Sequence, residues 1–146
     1  MEPSSEKQLA VKLFNDCWTL IEKENRSDLE NAEMIHLAHA SRFHWGIVGG
    51  KREWSIGEWQ CSWVYSLVGN GEAALFHAKL SAHWCSDIPR PHFTHAAVKQ
   101  AQAYAHYVLG DINRAQQLKL EALEELVGVG VDNATPIRKQ IEDLPF

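Results

Sequence analysis

At 146 residues and 16.5 kDa the chain has the size of a single domain. By surface scaling it should expose roughly 7,500 Å² when folded against about 24,000 Å² unfolded, enough burial for a core without disulfide or metal staples. Hydrophobic residues at 45%, charged residues at 23%, nine Gly and five Pro exclude collagen-like and low-complexity classes. The net charge is −5 with His neutral, and no basic run exceeds Lys51-Arg52, so the basic face of a nucleic-acid binder is absent. Six Trp and eight His are the unusual features.

The first helix is expected over about 5–24, where Ser5 and Gln8 have the form of a capping box and Leu9, Leu13, Cys17 and Ile21 recur at helical spacing. Ser27 and Glu30 repeat the capping signal for a second helix that runs through Ile35, Ala38 and Phe43 to Gly49-Gly50. A third segment spans Lys51–Val68 and ends at Gly69-Asn70-Gly71; a fourth spans Glu72–Cys85. Pro89 and Pro91 make Ser86–Pro91 a connector, because a residue preceding Pro is driven out of the helical region. A fifth helix is expected over Phe93–Leu109, and a sixth carries Ala115, Leu118, Ala122 and Leu126 up to Gly128-Val129-Gly130. Thr135-Pro136 reads as an N-cap with Pro at the first helical position, which predicts a short last helix over about 136–144. No alternating β-branched run is present. The expected fold is all-α, with six to seven antiparallel helices in one domain over residues 1–146.

Two stretches repeat. Placing Gly69 on Gly110 superimposes Val64–Gly69 on Ala105–Gly110, and the same offset of 41 puts Ala74 on Ala115 and Ser81 on Ala122. Small residues there permit close helix approach, and the glycines supply the left-handed conformation of a tight helical hairpin. The pattern, most clearly Leu109-Gly110-Asp111 followed by Ala115 and Ala122, resembles tetratricopeptide (TPR) repeats over about residues 54–127. The alternative is a related helical bundle. Through His36-x-x-His39-Ala40-Ser41-Arg42-x-His44-Trp45-Gly46 and Gly57-Glu58-Trp59-Gln60, the chain also resembles a small group of uncharacterised bacterial all-helical proteins. That resemblance implies a fold and no catalytic residue.

The N-terminus lacks the basic-then-apolar pattern of a secretory signal, and no apolar stretch approaches the roughly 20 residues that span a bilayer. Cys17, Cys61 and Cys85 form no CxxC and are odd in number, which suits free thiols in a reducing compartment. The expectation is a cytoplasmic protein without membrane or nucleic-acid partners.

Two constellations are candidates for function. His36 and His39 lie about 60° apart on the second helix, close enough to share a ligand, with Glu58 as the nearest acidic residue on the next segment. They define the enzymatic alternative, with His36, His39 and Glu58 as metal ligands or acid–base groups; the bland reading is histidines hydrogen-bonded to Arg42, Glu58 or carbonyls. His83, His92 and His95 are expected at the surface beside the Pro-rich connector, and the cysteines as buried, inert packing residues. The TPR resemblance implies a groove lined by Trp59 and Trp63 from one hairpin and Gln100, Tyr104 and Tyr107 from the other. Aromatic residues with polar tips are common interface anchors. The leading expectation is therefore a non-enzymatic, cofactor-free module that binds a peptide, a partner protein or a second copy of itself through this surface. The competing expectation is that the first and last helices cover it and the aromatics are core.

Overall fold

The computed structural model describes residues 1–146 and contains seven helices: α1 (Pro3–Glu22), α2 (Asp28–Val48), α3 (Lys51–Leu67), α4 (Gly71–Cys85), α5 (Phe93–Val108), α6 (Ile112–Glu124) and α7 (Val131–Glu142). Consecutive helices pair as hairpins, α1 with α2, α3 with α4, and α5 with α6. The hairpins follow in series, α2 packing on α3 and α4 on α5. The first helices form an inner layer, where α3 packs directly on α5 and α1 touches α3 lightly, while the backbones of α2, α4 and α6 stay apart from one another. Helix α7 closes the array against α5 and α6. No helix is long and apolar enough to cross a membrane.

The repeat is reproduced in the turns. After α3, Gly69 has φ +82°, its N–H donates to Ser66 O at 3.1 Å, and the Asn70 N–H donates to Tyr65 O at 2.9 Å. After α5, Gly110 has φ +88°, its N–H donates to Tyr107 O at 3.0 Å, and the Asp111 N–H donates to His106 O at 2.9 Å. Both are Schellman ends, which require a left-handed residue that only Gly supplies without strain. The next residue then starts the following helix: Asn70 Oδ1 accepts from Ala73 N at 3.1 Å and Asp111 Oδ1 from Arg114 N at 3.3 Å.

Small side chains set the spacing inside each hairpin. Ser55, Ser62, Ala74 and Ser81 are all fully buried in the first of the repeated hairpins, and their counterparts Ala96, Ala103, Ala115 and Ala122 are fully buried in the second. The serines satisfy themselves on the facing backbone: Ser55 Oγ donates to Ser81 O at 2.9 Å, Ser81 Oγ to Ser55 O at 2.7 Å, and Ser62 Oγ to Ala74 O at 2.7 Å. The hydroxyls therefore fill the Ala sites of the other hairpin without an unpaired buried group.

Two terminal signals differ from the sequence reading. Pro3 opens α1, so the Ser5–Gln8 pair lies inside the helix and no side-chain cap forms. Helix α7 begins at Val131 after Gly130 and carries Pro136 in its interior. Thr135 thus caps nothing; its hydroxyl donates to Val131 O at 2.8 Å, one turn back. The Ser27–Glu30 capping box forms as expected, with Glu30 N donating to Ser27 Oγ at 3.2 Å and Ser27 N to Glu30 Oε1 at 3.0 Å.

Candidate functional site

The inner layer carries a continuous chain of aromatic rings. Trp18 of α1 stacks on Trp59 of α3 at 5.6 Å, Trp59 meets Trp63 at 5.9 Å, and Trp63 meets Tyr104 of α5 edge-on at 5.2 Å. Tyr104 approaches Tyr107 at 6.5 Å, and Phe146 stacks on Tyr107 at 4.7 Å. The five residues expected to line a groove separate into two groups. Trp59 and Gln100 are core: both are buried, and the indole Nε1 of Trp59 donates to Gln100 Oε1 at 3.0 Å. Trp18 covers Trp59 from α1. Tyr107 is half-buried beneath Phe146, whose carbonyl accepts from Lys119 Nζ.

Trp63 and Tyr104 do line a groove. It has a volume of about 630 Å³ and runs between the C-terminal end of α1, with Trp18, Ile21 and Glu22, and the α7 region, with Pro136, Lys139, Gln140 and Leu144. That volume lies in the range of small-ligand and peptide side-chain pockets. Two of its lining residues each carry a buried polar atom with no partner, the donor Trp63 Nε1 and the acceptor Gln140 Oε1. Unpaired buried groups of this kind cost about 1–3 kcal/mol each and are uncommon. Burial, followed by the neighbouring Tyr107, holds the Tyr104 phenol above its usual value, so it stays a neutral donor and acceptor.

A second polar cluster lies between α2, α3 and α4. Glu58 is buried and held from two sides, with Arg42 Nε donating to its Oε1 at 3.1 Å and His77 Nδ1 lying 2.7 Å from its Oε2. The Arg42 side chain reaches Glu58 because α2 and α3 are bare where it passes: a Cβ on Gly57 would lie 2.8 Å from Arg42 Cδ and one on Gly46 3.1 Å from Nη1. His39 Nε2 lies 2.8 Å from Tyr65 Oη, its Nδ1 lies 3.9 Å from Cys61 Sγ, and the Tyr65 ring stacks on His77 at 5.4 Å. Burial, with His77 next to it, holds His39 below the ordinary histidine value, and burial pushes the Cys61 thiol well above the ordinary cysteine value.

Of the residues expected for acid–base or metal chemistry, the structure thus brings His39 and Glu58 into one cluster and leaves His36 exposed at its edge. Sequence reasoning missed His77, Cys61 and Tyr65. For His77 a signal was present, since the offset of 41 places it on Leu118, a buried apolar position of the other hairpin.

The histidines near the connector also differ from expectation. His83 is exposed, but His92 is half-buried, and its Nδ1 accepts from Thr94 N at 3.2 Å as the N-cap of α5. His95 is buried, with Nδ1 3.0 Å from Cys85 Sγ and Nε2 donating to Ile88 O at 2.8 Å. This dyad has the layout of a thiol beside a base oriented by a carbonyl, but burial raises the Cys85 thiol and keeps it protonated. No protein-family model, curated protein or solved structure matches the chain.

Proposed function

We propose that the chain is a non-enzymatic, TPR-like helical-hairpin module that binds an extended peptide segment of a partner protein in the groove between α1, α3, α5 and α7. The observation that carries this reading is the pair of unpartnered groups on residues that line the groove, the Trp63 N–H and the Gln140 carbonyl oxygen, which small side-chain movements on binding would bring to the surface. A peptide backbone offers both complements, a C=O for the indole and an N–H for the amide oxygen. Trp18, Trp63, Tyr104 and Leu144 supply apolar area for its side chains, with Lys139 and Asp143 at the rim. The repeated Schellman turns and small-residue positions support the TPR-like description. The three free, buried thiols support a reducing, cytoplasmic setting.

The test is selection of random phage-displayed peptides on the immobilised protein, followed by affinity measurement on Trp63→Phe and Gln140→Leu. Gln140→Leu keeps the side-chain volume and Trp63→Phe keeps an aromatic ring; each removes one hydrogen-bonding group, and each should weaken binding about two- to tenfold. The reading fails if no peptide is recovered, or if recovered peptides bind both variants as tightly as the native chain.

A further inference from the structure

We infer that Glu58, Cys61, His77 and His39 form a zinc-binding site at the junction of α2, α3 and α4, separate from the groove. One ligand atom each from Glu58, Cys61 and His77 already lies within 4.8 Å of the other two. Donors around a tetrahedral zinc, bonded at about 2.0–2.3 Å, stand roughly 3.3–3.8 Å apart. His39 Nδ1, at 3.9 Å from Cys61 Sγ, is close to that separation, and its ring centroid is 5.1 Å from that of His77. The mixed sulfur, nitrogen and oxygen set selects zinc over magnesium or calcium, which take oxygen ligands.

Groups that orient metal ligands from outside are also in place. A zinc-bound histidine usually donates its second N–H to a fixed acceptor, and a ligating carboxylate is itself hydrogen-bonded. His39 has Tyr65 Oη at 2.8 Å from Nε2, which leaves Nδ1 facing Cys61. Glu58 has Arg42 Nε at 3.1 Å from Oε1, which leaves Oε2 for the metal. The ion inserts between Glu58 Oε2 and His77 Nδ1, now 2.7 Å apart, and replaces their hydrogen bond; the Nδ1 proton of that bond leaves to solvent, and the zinc-bound ring carries its single proton on Nε2. The Cys61 thiol releases its proton to solvent, so carboxylate and thiolate balance the two positive charges of zinc. Arg42 remains paired with the carboxylate. His39, Tyr65 and His77 are half-buried, so the cluster is not sealed from solvent.

The experiment titrates untagged, metal-stripped full-length protein with Co²⁺ and follows the near-ultraviolet thiolate-to-cobalt charge-transfer band, then displaces cobalt with Zn²⁺. The native chain and a His36→Gln control should saturate at one equivalent and lose the band on zinc addition. Cys61→Ser should give no band, and His77→Gln and His39→Gln should each bind at least about tenfold more weakly, a change of about 1.4 kcal/mol. Far-ultraviolet circular dichroism establishes that each variant is folded. Absence of the band in the native chain overturns the site, since that result does not depend on any variant folding. Equal affinity of the native chain and the folded His77→Gln or His39→Gln variant overturns it as well.

Discussion

The Trp59 indole Nε1 donates to Gln100 Oε1 at 3.0 Å, and the two residues are 41 positions apart, the same offset that superimposes one hairpin on the next. Equivalent positions of two repeats therefore meet at the α3–α5 contact, one as donor and the other as acceptor. Both residues are buried, so the bond has no solvent substitute. Gln100→Met keeps the volume but strands the indole N–H, and we expect a loss of about 1–3 kcal/mol. In Trp59→Phe/Gln100→Met neither polar partner remains, and the double variant should be less destabilised than the sum of the single ones by about 1 kcal/mol. Urea unfolding followed by circular dichroism measures all four corners of the cycle; simple additivity would show that the bond contributes nothing.

Gly46 and Gly57 make a matched pair of tests, because both sit in helices beside one side chain. Replacing a helical Gly by Ala stabilises by up to about 1 kcal/mol when nothing interferes. At Gly57 the new methyl would lie 2.8 Å from Arg42 Cδ, and Arg42 is pinned to Glu58 and cannot swing clear. At Gly46 it would meet only Arg42 Nη1 at 3.1 Å, the far end of the chain. We expect Gly57→Ala to lose about 1–3 kcal/mol and Gly46→Ala to fall within about 0.5 kcal/mol of the native protein. Thermal melts that rank Gly57→Ala equal to or above Gly46→Ala would contradict this account of the α2–α3 gap.

The helices and turns were legible in the sequence because their signals are local. The Ser27 capping box, the Gly69 and Gly110 ends and the Pro89–Pro91 connector each act within a few residues, and each appears where expected. Thr135-Pro136 misled because its pattern is equally local, but α7 starts a turn and a half earlier and accommodates the Pro within the helix. The site was less legible, since it depends on which helix faces which. Trp59 and Trp63 are four positions apart on one helix, yet Trp59 is sealed by Trp18 and Gln100 while Trp63 borders the groove. Nothing near Trp59 in sequence encodes the ring that α1 lays over it. His77, from a third helix, joins Glu58 for the same reason.

Glu58 should be far more sensitive to truncation than any exposed charge. Its side chain is 9% exposed and that of its partner Arg42 20%. Glu58→Ala leaves a mostly buried guanidinium without a counter-charge and His77 without its acceptor, and we expect a loss of about 3 kcal/mol, toward the lower end of the range for broken buried pairs. Lys12 and Asp16, 69% and 45% exposed on α1, give the contrast. Asp16→Ala should change stability by less than about 0.5 kcal/mol, with a dependence on salt that Glu58→Ala lacks. Chelator in both samples keeps metal out of the comparison. Similar losses in the two variants would mean that water reaches Arg42 and Glu58 freely.

The start of α5 should respond to acid through His92. Its Nδ1 accepts the Thr94 N–H at 3.2 Å, so protonation at that nitrogen abolishes the cap. Burial first, then the positive charge of Arg52 and the neighbouring His95, hold His92 below the ordinary histidine value in the folded protein. The unfolded chain therefore takes up the proton first. The cap's contribution is complete above the unfolded value of about 6.5 and declines as the pH falls from there through the lowered folded value. Asn is a strong N-cap with no titration in this range. Between about pH 7 and pH 5 the native chain should thus lose more stability than His92→Asn, by up to about 1 kcal/mol, the usual contribution of one cap. Every other ionisable residue is the same in the two proteins. Parallel stability–pH curves for the two would show that His92 does not cap α5 through its unprotonated nitrogen in solution.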